Sequence, residues 1–238
     1  MSKPNSIITA EGLIYAGVSY PDLYEGHTLS RVLIGFDNFL NEPHFYKELW
    51  GVDLDDFDKN IGYKACGRRD EGMETFIEKT GLRRLSKNNG LAYKKYEQWL
   101  MDLKSLRESC FQCSLLIAEG LCFSLEKNFS DIKRSIVAAE KNHVLRLVKY
   151  PDLKFNDLIE PHEDPGFITL QLHDSFSGFR FGKNFNIEFV SPENKVTAFL
   201  GKKAELFSEK LFAMPHAIVN NLPKERSIAM SFSLDIDL

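Results

Sequence analysis

Residues 161–170 read PHEDPGFITL. A histidine and an aspartate flank a glutamate, a Pro-Gly pair marks a turn, and an alternating run follows. The stretch therefore predicts two potential metal ligands, His162 and Asp164, at the mouth of a β-strand. Side chains two apart on a strand point the same way, so this pair presents a nitrogen and an oxygen to one ion. A third donor from another strand completes two histidines and one carboxylate on one face of a metal. Such a facial triad leaves the opposite positions open and suits a non-haem Fe(II) oxygenase. His216 in FAMPHAIVNN, following a proline in an otherwise apolar segment, is the natural third ligand. By itself an H-x-D pair is weak, because a loop histidine beside a turn accounts for it equally well.

The surroundings supply the context. After Asn142 the hydrophobic period is two: HVLRLVKY, GFITLQLHD, GFRFG, NIEFVS, KVTAFLG and RSIAMSFSLDI read as short strands broken by Pro, Gly and Asn. Many short strands at regular spacing indicate a sandwich or jelly roll. From about Ala92 to Lys127 the period is helical, with Trp99, Leu103, Leu106, Cys110, Cys113 and Ile117 on one stripe. Ser130 and Asp131 cap a second helix, DIKRSIVAAEK. Residues 1–90 are mixed. No repeat or Pro/Ser-rich linker divides the chain, so the expected fold is mainly β with an α-helical buttress, one domain over residues 1–238. Residues 1–141 form a mixed region with long helices, and residues 142–238 the jelly-roll core carrying the metal site.

The 238 residues are 43% hydrophobic and 27% charged, with a net charge of −4. That suffices for a substantial core and argues against a partner bound through phosphate neutralisation, so no nucleic acid is expected. The start, MSKPNSIITAEGLIYAG, lacks a secretory layout, and no apolar run is long enough to span a bilayer. Cys110 and Cys113 spell C-x-x-C within the helical segment and read as packing thiols. A cytoplasmic location follows as the expectation.

HEDPGFITLQLHD…GFRF followed by PHAIVNNLPKERSIAMSF resembles the Fe(II)- and 2-oxoglutarate-dependent oxygenase superfamily, in particular the branch containing isopenicillin N synthase and the plant flavonoid oxygenases. His162 and His216 are 54 residues apart, close to the family's interval. The resemblance implies a double-stranded β-helix (a cupin-like jelly roll) with His162, Asp164 and His216 as the metal and catalytic residues. It implies Fe(II), 2-oxoglutarate and O2 as cofactor and cosubstrates. An intact Asp164 implies hydroxylation, desaturation or cyclisation rather than halogenation, since halogenating relatives carry a small residue there.

The resemblance further implies an arginine for the far carboxylate of 2-oxoglutarate. The family writes it Arg-x-Ser, whereas here Arg226 is followed directly by Ser227. A one-residue offset reverses the face of a strand side chain, so two registers compete, and Arg226 inward avoids facing a carboxylate with Glu225. Tyr150, before Pro151, matches the family's tyrosine on the cosubstrate or substrate carboxylate; Val148 stands where many relatives have asparagine. If Tyr150 faces the cavity, Val148, Arg146 and Val144 share its face. Arg146 then binds a substrate anion or pairs with an acidic residue of the N-terminal half. Thr169 and Gln171 point inward by the same logic, and Phe179 adds an apolar wall.

The leading expectation is an Fe(II)- and 2-oxoglutarate-dependent dioxygenase acting on a small molecule, amino-acid-derived or another natural-product intermediate with an anionic group. The alternatives are a 2-oxoglutarate-independent oxidase of the isopenicillin N synthase type and a non-catalytic metal-binding protein. No membrane partner is expected, and composition gives no oligomeric state.

Overall fold

Alternation in the second half of the chain becomes a two-faced sheet. The computed structural model describes residues 5–9, 12–18, 28–48, 62–66, 69–76, 90–149, 157–174, 179–182, 187–188, 196–219 and 228–237. The first half carries strands β1 (Asn5–Thr9) and β2 (Gly12–Val18), helices α1 (Thr28–Leu40) and α2 (His44–Glu48), strands β3 (Gly62–Cys66) and β4 (Arg69–Phe76), and helices α3 (Gly90–Ser124) and α4 (Phe129–Ala138). Then come β5 (Val144–Lys149), β6 (Asp157–His162), β7 (Ile168–Asp174), β8 (Phe179–Phe181), β9 (Ile187–Glu188), β10 (Val196–Leu200), helix α5 (Lys202–Phe207), β11 (His216–Val219) and β12 (Ile228–Leu234). Among the described residues, one antiparallel sheet runs β1-β2-β10-β7-β12-β5-β4-β3 and a second runs β6-β11-β8-β9.

The two faces of the larger sheet are chemically distinct. Leu145, Leu147, Ile168, Leu170, Leu172, Val196, Ala198, Leu200, Met230, Phe232 and Leu234 join the core shared with the helices. The intervening positions face the smaller sheet. There Ile14, Val148 and Phe199 meet Phe179, Phe181, Met214 and Ile218 in a second apolar cluster drawn from both sheets. The double-stranded β-helix expected from the sequence is thus present.

Strand pairing extends beyond residues 142–238. Hairpins β1–β2 and β3–β4, from the region read only as mixed, add to both ends of the larger sheet. They cover edges that β10 and β5 would otherwise leave unpaired.

The buttress is as expected, with the helical period in place. Trp99, Leu103, Leu106, Cys110, Cys113 and Ile117 are all buried on α3. Burial pushes the Cys113 thiol up to about 12 and Cys110 well above its usual range, so both stay protonated and behave as apolar packing groups. Helix α1 lies against α3 where Gly35 sits under Trp99; a Cβ there would overlap the indole ring. The indole Nε1–H donates to the Val32 carbonyl at 3.0 Å, and Arg31 forks onto both Asp102 oxygens. Helix α4 starts two residues earlier than Ser130–Asp131 suggests. Asn128 is the cap, its side-chain oxygen accepting from the Ser130 backbone N–H at 3.0 Å.

Where α3 crosses the larger sheet, a histidine is fully buried. The Arg107 guanidinium donates to the His143 carbonyl at 3.1 Å, and the His143 ring stacks on Phe111 and meets Phe232 edge-on. Its Nε2–H donates to the Asp235 carbonyl at 3.2 Å. Burial pushes its pKa down to about 4, against an unfolded value of about 6.5. The folded state therefore resists protonation of this ring. Stability from His143 is complete above pH ~6.5, falls as pH drops towards about 4, and changes no further below that; the loss is on the order of 3 kcal/mol. Urea unfolding at pH 7 and pH 4.5 checks this: His143→Phe should lose markedly less stability on acidification than the wild type.

Candidate metal centre

Register on the smaller sheet creates the site. His162 is the last residue of β6 and His216 the first of β11, and the two are direct cross-strand partners. Their rings lie 4.3 Å apart. Asp164 is brought in differently from the strand argument. It lies past the end of β6, in the turn leading to β7, so its approach is set by that turn and not by period-two alternation. Its Oδ1 is 3.8 Å from His162 Nε2 and 3.8 Å from His216 Nε2. One donor atom from each of the three residues lies within 4.8 Å of the others.

The ring tautomers are fixed for ligation. His162 Nδ1 is 2.9 Å from the Glu160 carbonyl and His216 Nδ1 is 3.1 Å from the Met214 carbonyl. A carbonyl only accepts, so each Nδ1 carries the proton and each Nε2 turns its lone pair to the shared space. Burial lowers the pKa of His216, opposed by the Asp164 charge, so its ring is held neutral as a ligand must be. Phe179 stacks on the His216 ring at 5.6 Å and 14°, and Phe199 closes another side at 4.7 Å. The His162 side chain, by contrast, is 39% exposed against 4% for His216. The centre therefore opens to solvent on the His162 side and is walled by aromatics on the His216 side.

Asp164 is anchored through side chain and backbone. Its Oδ2 accepts from the Thr169 hydroxyl, which leaves Oδ1 towards the imidazoles. The start of α5 docks on the same turn: Lys202 N–H donates to the Asp164 carbonyl at 2.8 Å, Lys203 N–H to the Gly166 carbonyl at 3.1 Å, and Gly201 N–H to the Phe167 carbonyl at 3.0 Å. Two imidazoles and one carboxylate on one side of a common point match the donor set of a non-haem Fe(II) facial triad.

No protein-family model and no curated protein matches the sequence. Solved structures do. The dioxygenase for auxin oxidation 1 from Arabidopsis thaliana, in a binary complex with 2-oxoglutarate, superposes with a TM-score of 0.70 at 15% identity, over 92% of this chain and 82% of that one. A full-length Neurospora crassa protein in complex with alpha-ketoglutarate gives 0.69 at 16% identity, over 90% and 71%. JOX2 in complex with 2-oxoglutarate, iron and JA gives 0.67 at 17% identity, over 93% and 65%. The fold is that of the 2-oxoglutarate- and Fe(II)-dependent oxygenases.

On this oxygenase fold the other residues singled out from the sequence are placed as follows. Val148 and Phe179 lie in the apolar cluster between the sheets, and Phe179 covers His216. Thr169 and Gln171 are buried on the inward positions of β7, but their polar atoms have protein partners: Thr169 holds Asp164, and Gln171 Nε2 donates to the His173 carbonyl at 2.8 Å. Arg146 shares the face of Val148, and its cross-strand partners are Ser231 on β12 and Glu74 on β4. Tyr150, Arg226 and Ser227 lie outside the described residues.

Phe199 and Thr169's contact with Asp164 were not foreseen. KVTAFLG reads as a strand, but nothing in it says which neighbour its inward side chains meet. Thr169→Val keeps volume while freeing Asp164 Oδ2. Loss of such an outer partner costs about 10–100-fold in metal affinity, so Fe(II) titration should show a drop of that order with the fold unchanged.

Proposed function

We propose that the chain is an Fe(II)- and 2-oxoglutarate-dependent oxygenase oxidising a small molecule that carries an anionic group. The observation that carries the reading is the convergence of Asp164 Oδ1 on both imidazole Nε2 atoms, 3.8 Å from each, inside this fold. His162, Asp164 and His216 would hold the iron. Once bound, Fe(II) supplies the redox chemistry by which 2-oxoglutarate and O2 become succinate and CO2 while the second oxygen atom oxidises the substrate.

The chain's own residues supply position. Asp164, neutralising one charge of a divalent ion, is kept from rotating by Thr169 and from shifting by α5. Phe179 and Phe199 pack against the His216 ring, whereas the His162 side chain is 39% exposed, so access is from the side of His162. Arg226 and Tyr150 are proposed to hold 2-oxoglutarate, with Ser227 beside them. Val148 and Phe179 offer apolar walls to the substrate, and Arg146 on the same inner face suits its anion. A small-molecule substrate is in keeping with a similar structure, since the Neurospora crassa protein has been solved in complex with thymine and with 5-formyluracil. The test is succinate release: aerobic protein with Fe(II), ascorbate and 2-oxoglutarate should form succinate above the level of metal-free protein. No succinate above that level would remove the proposal.

A further inference from the structure

Three stretches distant in the chain meet beside the metal centre. The turn 164–167 carries the carboxylate ligand, the start of α5 docks on it, and the residues that end and follow β12 bond to both. Lys203 joins them. Its backbone N–H donates to the Gly166 carbonyl at 3.1 Å. Its ammonium donates to Asp235 Oδ1 at 2.9 Å, Asp235 Oδ2 at 3.1 Å and the Ile236 carbonyl at 2.7 Å. Three acceptors match the three N–H donors of one ammonium.

Asp235 is itself fixed. Its Oδ1 also accepts from the Ile236 N–H at 2.9 Å, and its carbonyl accepts from His143 Nε2–H at 3.2 Å. Ile236 is fully buried in the helix-side core, and the Asp237 N–H donates to the Ser135 carbonyl on α4 at 3.2 Å. Segment 235–237 is therefore fastened to the helical buttress, and Lys203 fastens the turn and α5 to that segment. A backbone bond runs beside this link, from the Phe167 N–H to the Leu234 carbonyl at 2.9 Å. The ion pair lies near the surface, with side-chain exposures of 31% for Lys203 and 16% for Asp235. Such a pair contributes little to global stability, so its chief effect is on where α5 and the turn sit.

We propose that Lys203 and Asp235 are positioning residues for the carboxylate ligand Asp164, holding the start of α5 and, through it, the metal-bearing turn; this rests on the oxygenase reading above. The Lys202 N–H bond to the Asp164 carbonyl passes the position of α5 to the ligand itself. Both residues act through the turn and not as ligands.

The experiment uses Co(II), whose visible ligand-field bands report coordination geometry. It is titrated into metal-free wild type, Lys203→Met, Lys203→Arg, Asp235→Ala and the Lys203→Met/Asp235→Ala double variant, and each metal-free protein is melted. Arg31→Met, which removes the ion pair with Asp102 between α1 and α3, is the control. Lys203→Met and Asp235→Ala are each expected to weaken Co(II) about 10-fold, the scale of a lost outer partner, with altered band intensities. The double variant should lose no more than either single one, because both remove the same link. Lys203→Arg and Arg31→Met should keep wild-type Co(II) affinity and bands, whatever their melting temperatures. Wild-type affinity in Lys203→Met and Asp235→Ala overturns the assignment. An equal loss in Arg31→Met, no recovery in Lys203→Arg, or losses that add in the double variant overturn it as well. Failure of the wild type to bind Co(II) overturns the metal-centre reading and this assignment with it.

Discussion

Asp164→Ala and His216→Ala are each expected to abolish Fe(II) retention and succinate formation. Outer partners of metal ligands alone account for about 10–100-fold in affinity, so removing a ligand exceeds that. The two variants differ in what else they disturb. Asp164 is half-buried in a turn, and its loss leaves the two imidazoles without a charge to neutralise a divalent ion. His216 is 3% exposed and packed among Phe179, Phe181 and Phe199, so alanine also opens a cavity and lowers the melting temperature. Asp164→Ala is the cleaner variant: a far-ultraviolet spectrum and melting temperature like the wild type, with iron content near zero, is the expected result. Wild-type iron content in Asp164→Ala would remove this carboxylate from the site.

The second large effect comes from a residue with no functional group. Gly201 precedes α5, and a Cβ on it would press into the Gly166 carbonyl oxygen and lie 2.8 Å from the Asp164 carbonyl oxygen. Both obstacles are backbone, so neither can swing aside. Gly201→Ala must push α5 and the Asp164 turn apart, breaking the Lys202 N–H bond to the Asp164 carbonyl. Overpacking of this kind costs about 1–3 kcal/mol. Because the displaced turn carries the carboxylate ligand, Fe(II) affinity should fall at least about 10-fold, on the scale of a lost outer partner. Equilibrium unfolding together with Fe(II) titration checks both effects, and a Gly201→Ala protein with wild-type affinity would show that α5 does not position Asp164.

The legible parts of this molecule are those set by local pattern. His162 and Asp164 stand out by their spacing before the PGFITL turn and strand, and His216 by its proline and apolar setting. The strands announce themselves by alternation and α3 by its stripe of Trp99, Leu103, Leu106 and Cys110. What stayed hidden depends on which strand pairs with which, and in what register. Thr169 meets Asp164 because a turn folds back, and Phe199 meets His216 because β10 lies across from β11 in the other sheet. Gly201 matters only because α5 starts against a turn some 35 residues upstream in the chain. The β1–β2 and β3–β4 hairpins are hidden for a further reason: they lie at the two ends of the sheet, where the outermost strands β1 and β3 each have a single neighbour. The strand-based pairing of His162 with Asp164 reached the right residues although Asp164 lies outside the strand, since a ligand two residues on is close in either geometry.

The central claim is that three side chains hold one ferrous ion with positions left open for a chelating keto acid. Anaerobic addition of Fe(II) and then 2-oxoglutarate to the metal-free protein tests it most directly, read as visible absorption. A weak metal-to-ligand charge-transfer band that appears only with both additions, and is missing from Asp164→Ala, is the predicted result. A flat visible spectrum from wild-type protein with both in excess would contradict the account.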